Sequence, residues 1–352
     1  MPYNLILHNR LTDVSTGFCR NITFHAQEWT HVTRAIGGYW TGDFTITDAT
    51  MSRTEIAQLY NVSIGRRVTE HTGGLLSWEG EIVEMTLTLD GVSYTISLDP
   101  EQWHNNVVVD YGHGLTDSSE NTDSSGIFGE CQYIDNIDST YDETAAEAIR
   151  DRRLKENAYP RSRPSGGLAS KASSSTQGTS LHVICAGYWS SMNRRYQTTD
   201  VAAANASTQI STLVGNSEWV TAGMIRTNAL QVPIRAAGNY PRLWDAVEAV
   251  IDMGDGSGNR WAGGVYEGRK FNYNAAATTV THLYRDGRLL DRAGLVILPS
   301  LVKPDIVVDI GGAPGAVDPP GGNNWDRSDR AYIEEVEFTA PDQFRLIPYG
   351  AS

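Results

Sequence analysis

The clearest pattern along the chain is an alternation of apolar and polar residues that ends in a tight turn. Val83, Met85, Leu87 and Leu89 alternate with Glu84, Thr86, Thr88 and Asp90, the period of two that marks a half-buried strand. Asp90-Gly91 then supplies a two-residue hairpin loop, because glycine accepts positive φ and aspartate tolerates it. Val92, Tyr94, Ile96 and Leu98 carry the return strand. Further strands are expected over residues 3–8, 23–32, 39–47 and 107–111. Residues 52–60 (SRTEIAQLY) switch to a helical period. Ser52 followed by Glu55 makes a capping box, and Ile56, Leu59 and Tyr60 form the expected buried face.

Residues 113–140 are rich in Ser, Asp and Asn and lack periodicity, so they read as a loop or linker. Residues 142–157 (DETAAEAIRDRRLKEN) read as a helix with acids first and bases last, in keeping with the macrodipole. Its apolar stripe is Ala145, Ala148, Ile149, Arg152 and Leu154. Residues 161–177 are low in complexity and read as an exposed loop. The basic residues Arg150, Arg152, Arg153, Lys155, Arg161 and Arg163 read as a solvated face rather than a nucleic-acid grip.

A strand is expected at 180–188, a turn at 189–196 and a helix at 201–214. A second helix is expected at 241–253, with Leu243, Trp244, Val247, Val250 and Ile251 on one face and Pro241 in its first turn. Residues 254–259 (GDGSGN) are a turn. From 260 to 349 the pattern is β again, with Asp286-Gly287 a second hairpin signal. Pro304 implies an edge or bulge within 301–310, residues 311–324 form a Gly/Pro loop, and 332–338 alternate as a strand. The expected architecture is mainly β with α+β insertions. Two small β-barrel-like domains (1–112 and 259–352) are joined by an acidic loop, helix and flexible loop (113–179) and an α+β middle domain (180–258).

Composition agrees with this reading. There are 34 Gly, 9 Trp and 16 Tyr in 352 residues, and many turns with many aromatics favour β structure. A net charge of −14 argues against a general grip on nucleic acid, which needs a basic stripe. It fits solubility, or a channel wall that repels DNA. Cys19, Cys131 and Cys185 form no C-x-x-C, so they read as free thiols rather than zinc ligands. No secretory signal opens the chain and no apolar run approaches the ~18 residues of a membrane span. Folding in a cytoplasm without membrane insertion is therefore expected.

Candidate chemistry is sparse. His8, His25, His31, His71, His104, His113, His182 and His282 form no H-x-H, H-x-x-x-H or H-E-x-x-H set, so no metal site is expected. Glu79, Glu81 and Glu84 are the nearest thing to a glycosidase pair. Glu79 and Glu81 fall on one face of a strand about 6.8 Å apart, and Trp78 offers a stacking surface for a sugar. The same spacing is what any solvent face of a strand shows, and that reading is preferred. No G-x-S-x-G elbow and no phosphate-binding loop is present, and GGAPGAV (311–317) is followed by helix-breaking prolines. The oxygen-rich segments 113–140 and 252–259 lack the calcium-loop spacing. No catalytic residue, cofactor or metal is assigned.

The order of segments resembles the tail hub proteins of tailed bacteriophages, which are similar to the baseplate hub of contractile tails. The resemblance rests on GGYWTGDFTI, a short helix, IGRRV and SWEGEIVEMTLTLDGVSYTISLD. It continues through CAGYWSSMNRRY (185–196), LVKPDIVVDI and YIEEVEFTAPDQFRLIPYG. In that family a Gly-Trp-x-x-x-F opening is followed by a W-x-G-x-I-x-E strand. The resemblance implies β-barrel domains packed around the tail axis as a trimer, linking the tube or distal tail ring to a tip or fibre. DNA and the end of the tape measure would meet the protein only in the channel. A chain ending at Ser352 is expected to carry this scaffold without an added hydrolase domain. Trp40, Trp78, Tyr94, Trp189, Trp244 and Trp261 are expected as core aromatics, or as anchors between subunits. The expected location is the virion tail, assembled in the host cytoplasm. The alternatives are a receptor- or glycan-binding module using exposed aromatics and the 113–140 loop, and a carbohydrate-active enzyme using Glu79.

Overall fold

The computed structural model describes residues 3–13, 19–165, 178–238, 240–310 and 330–349. The first part holds β1 (Tyr3–His8), β2 (Cys19–Asn21), β3 (Gln27–Arg34), β4 (Ile36–Thr47), α1 (Arg53–Ser63), β5 (Arg67–Thr72), β6 (Leu75–Leu89), β7 (Val92–Ser97) and β8 (Asn106–Asp110). Then come β9 (Ser119–Glu120), α2 (Thr122–Phe128), β10 (Gln132–Asn136), α3 (Glu143–Asn157), β11 (Arg163–Ser165), β12 (Ser180–Ala186), α4 (Trp189–Met192), β13 (Ala204–Asn205), α5 (Ala206–Gly215), β14 (Thr221–Ile225), β15 (Gln231–Val232) and α6 (Leu243–Asp252). The last part holds β16 (Trp261–Tyr266), β17 (Lys270–Ala275), β18 (Val280–Arg285), β19 (Arg288–Asp291), β20 (Ile306–Asp309), β21 (Arg330–Thr339) and β22 (Gln343–Pro348). The chain is mainly β with α insertions, as its pattern predicts.

Local signals act where the sequence places them. Asp90 and Gly91 take φ of 47° and 83°, and Asp286 and Gly287 take 50° and 74°, the positive values that match a two-residue turn to strand twist. They close the β6–β7 and β18–β19 hairpins. Ser52 caps α1 with both halves of the box formed, and Ile56, Leu59 and Tyr60 are buried. Replacing Ser52 by alanine should cost about 1 kcal/mol, read as a lower urea midpoint with unchanged slope.

Other expectations are corrected. Residues 113–140 are not a plain loop. Asn121 accepts from the Ser124 amide and caps α2, and β10 pairs in parallel with β8. Short capped elements of this kind leave too few residues to show a period. In α3 the packed side is not the expected stripe, since Ala146 is the buried residue while Ala148 and Arg152 are exposed. The packed side carries arginines that find partners: Arg150 donates to the Asp117 carbonyl at 3.0 Å and Arg153 to Asp135 at 2.9 Å. An apolar count cannot register such contacts. Helix α5 starts late, at the Asn205 cap, and Pro241 precedes the α6 cap at Arg242 rather than lying in the first turn. Residues 161–165 contribute β11, which pairs with β7. The rest of the expected 161–177 loop, and the 311–324 loop, lie outside the described residues.

Most strands belong to one branched, curled sheet. Its first lobe runs β3-β4-β12-β6-β5-β1-β2, with β12 inserted between β4 and β6. These strands and α1 enclose a core that includes Trp29, Phe44, Ile56, Trp78, Met85 and Val183. Helices α5 and α6 cover a second core with Trp244, Val247, Trp261, Phe271 and Tyr273. That core joins residues on both sides of the expected 258/259 boundary. A third and smaller core, with Leu289, Val308, Ile333 and Val336, underlies β19-β18-β20-β21-β22. Strand β21 also pairs with β3, so the end of the chain is stitched to its beginning. Phe338 from β21 lies buried in the first core.

Candidate functional site

Three of the segments that carry the hub-like pattern converge in space, while LVKPDIVVDI runs into β20 and YIEEVEF lies in β21. The GGYWTGDFTIT stretch is β4, SWEGEIVEM lies in β6, and CAGYW runs from the end of β12 into α4. Strand β12 pairs antiparallel with both β4 and β6, so residues about 90 to 145 positions apart become ladder neighbours. Strand β4 is long enough to divide its pairing: Ile36 to Gly38 run parallel to Gly263 to Val265, and Thr41 to Thr47 pair with β12. Main chains come unusually close here. A Cβ on Gly187 would overlap the Tyr39 carbonyl oxygen, and one on Gly38 would overlap the Val265 main chain. Gly38 also takes φ of 80°, a value that favours glycine. The motif glycines are therefore contact points of backbone with backbone.

The carboxylates of β6 do not face solvent, contrary to the preferred reading of their spacing. Glu79 and Glu81 are 3% and 5% exposed, because α4 and the turn Glu267–Arg269 cover this part of the sheet. Glu81 receives Arg194 Nη2 at 2.6 Å and the Ser190 hydroxyl at 3.3 Å. Glu79 accepts the Arg269 amide at 3.0 Å. Glu84 is half-buried. Trp78 is fully buried and packs edge-on against Trp29, so it offers no face to a sugar.

Burial pushes the Glu79 carboxyl above the usual carboxylate range, against the opposing pull of the Arg269 amide and the Arg67 charge. A folded-state value above the unfolded one means that the folded state holds this proton more tightly. The resulting stabilisation is complete below the unfolded carboxylate value and is lost as pH rises through the raised one. Glu79→Gln keeps an acceptor for the Arg269 amide and removes the titration. The variant should therefore gain on the parent as pH rises from 4 toward neutrality, in paired urea titrations.

Glu70 has a site that the sequence reading missed. It is fully buried, receives Trp29 Nε1 at 3.0 Å and lies 3.0 Å from His31 Nε2. Trp29 and His31 are some forty residues away, with the Thr72 hydroxyl a nearby donor at 3.4 Å, and no local period marks the distant contacts.

The remaining histidines are dispersed. His8 contacts the Thr69 hydroxyl, His25 the Thr50 carbonyl and His113 the Ser139 carbonyl. His104 stacks on Tyr133, and burial lowers its pKa. His182 lies 3.8 Å from Asp43, and His282 contacts Thr281. Among the described residues no group of three or more His, Cys, Asp or Glu side chains is placed to hold a metal. Cys19 is exposed, while Cys131 and Cys185 are buried and unpaired. Burial pushes the Cys131 thiol up to about 12, far from the thiolate a nucleophile needs.

The aromatics divide by depth. Trp78, Trp244 and Trp261 are buried, whereas Trp40, Trp189 and Tyr94 are half-buried. Trp40 and Trp189 stack at 3.8 Å with Arg34 over the Trp40 ring, so their faces are used within the chain. No described tryptophan is exposed. What remains open is backbone. Among the described residues, β22 pairs only with β21 and β14 only with β17, leaving one edge of each able to accept another strand. Apolar side chains stand out near these lobes, with Leu295 67% and Met224 51% exposed. Among the described residues no helix is long and apolar enough to cross a membrane.

No protein-family model matches the chain, and no curated protein sequence matches it. Among solved structures, it is similar to the prophage MuSo2 43 kDa tail protein from Shewanella oneidensis. The identity is 8%, with 96% of this chain and 94% of that chain covered and a TM-score of 0.46. It is also similar to the tail protein from Neisseria meningitidis MC58, at 8% identity, 100% and 98% coverage and a TM-score of 0.44. Both are described as tail proteins, the first from a prophage.

Proposed function

We propose that this chain is a structural protein of a phage tail. In this reading it is a hub or baseplate-hub component that forms a homo-oligomeric ring, as a trimer, around the tail channel. It would link the tail tube or distal ring to the tip or fibre, and would meet DNA and the tape measure only in passage. The observation that carries the reading is the convergence of three of the hub-like segments on β4, β12 and β6. Their motif residues are consumed in building the sheet, while the edges of β22 and β14 are left for assembly. Glu79 and Glu81 serve as internal partners, which supports a non-enzymatic role. The net charge of −14 suits a wall along which DNA slides without sticking.

Immunogold labelling of phage particles containing this chain tests the proposal. Label confined to the tail tip region is expected. Label on the capsid, or along the whole tail shaft, would overturn the assignment.

A further inference from the structure

One ribbon of strands crosses the molecule, and its two ends are the open edges. Its order is β14-β17-β16-β4-β3-β21-β22. A single ladder row spans it: Ala222, Phe271, Val265, Gly38, Arg34, Glu335 and Ile347 are paired each to the next. The β14–β17 and β16–β4 pairs are parallel and the others antiparallel, so β14 and β22 run in the same direction. A rotation about an axis along the strands keeps that direction. It would bring the β22 edge of one copy beside β14 of the next in parallel.

Residues paired across a ladder share a face, and neighbours along a strand point to opposite faces. Phe271 and Ile347 therefore lie on one face of the ribbon, and Lys270, Asn272 and Leu346 on the other. Met224 belongs with the second set. It lines one open groove with Lys270 and Asn272, and its amide donates to Asn272 Oδ1 at 2.8 Å. Leu346, with Phe344 and Ile310, lines an apolar cleft of about 360 Å³ beside β22. Neither edge carries the usual guard of charge or proline. Strand β14 has no charged residue, Arg345 of β22 is drawn back to Glu337 at 3.3 Å, and Pro348 stands only at the end of β22. The charges that flank the two edges are opposite. Lys270 pairs with Thr221 at the start of β14, and Asp342 immediately precedes β22. Both are exposed, and neither has an ion-pair partner among the described residues. The groove along β14 also holds Lys303, Glu267 and Asp305, and the Asp305 carboxylate is taken up by Asn274, Tyr332 and the Ala277 amide.

We propose that β22 of one copy of this chain adds in parallel to β14 of a second copy. Phe344 then lies beside Thr221, Leu346 beside Met224, and Asp342 at the end where Lys270 stands. The exposed Met224 side chain meets the apolar cleft, and the two unpaired charges face each other. The contact is heterologous, so repeating it closes a ring where the rotation permits, and the ribbon continues from copy to copy. The number of copies rests on the tail-ring reading, whereas the choice of edges and their parallel sense rest on the ribbon itself.

The test is disulfide trapping in the full chain, with the exposed Cys19 replaced by serine. Met224→Cys and Leu346→Cys in one chain are expected to give covalent trimers under mild oxidation. An equimolar mixture of the two single variants should stop at dimers, and each single variant alone should give none. A charge exchange at exposed positions is the second measurement. Lys270→Glu should weaken self-association by about fivefold at low salt, and adding Asp342→Lys should restore it, with circular dichroism unchanged throughout. Dimers from either single variant alone would mean that like edges meet. Oligomers of the double variant that do not cross-link, or a charge exchange that restores nothing, would put the contact elsewhere. Each of these results overturns the pairing and leaves the ring reading standing. A chain that stays monomeric at every concentration overturns both.

Discussion

Replacing Arg194 with methionine while Glu81 remains is expected to lower the unfolding free energy by about 3–5 kcal/mol. The two side chains are 3% and 6% exposed, and Arg194 Nη2 reaches Glu81 at 2.6 Å. Arg194 also lies over the Trp103 ring at 5.6 Å. Removing the guanidinium leaves a carboxylate that water cannot reach, with the Ser190 hydroxyl as its remaining donor. The cost therefore comes chiefly from the stranded charge and less from the lost attraction. A second variant separates these terms. Glu81→Leu combined with Arg194→Met removes both charges, and replacing a buried pair by apolar groups is often neutral or better. The double variant should recover to within about 1 kcal/mol of the parent in guanidinium titrations. A double variant as weak as the single one would mean that the attraction itself, or the geometry it imposes, carries the stability.

Gly187→Ala should be at least as damaging, with a loss of about 3–5 kcal/mol, the range reserved for changes with a specific steric or electrostatic cause. Its Cβ would overlap the Tyr39 carbonyl oxygen, and both β4 and β12 are held by ladder pairing on either side. Neither strand can move away without breaking hydrogen bonds. Gly215→Ala is the internal control. Nothing lies within 4 Å of a Cβ there, and the residue closes α5. Alanine at that position should stabilise by about 0.5–1 kcal/mol through helix propensity. Thermal and urea unfolding of the two variants side by side would show whether glycine at 187 is required by contact or merely tolerated.

The sequence was most informative where the deciding interaction is local. The Ser52 capping box, the Asp90-Gly91 and Asp286-Gly287 turns and the buried face of α6 each depend on residues a few positions apart. It was least informative where the deciding contact is distant. Glu79 and Glu81 look like a solvent face until α4 and the 267–269 turn are laid over β6. The packed side of α3 is set by arginines that bind Asp117 and Asp135, and apolar periodicity overlooks it. Glu70 is invisible to any local rule, because Trp29 and His31 approach it only through the curl of the sheet.

The central claim is that this scaffold assembles through its open edges into a ring. Native mass spectrometry of the purified chain, with negative-stain images of the same sample, tests that claim most directly. The account predicts a closed trimer with a central opening, and loss of hydrogen exchange along β22 or β14 on assembly. A monomer at every concentration, with the amides on both edges still exchanging freely, would contradict it.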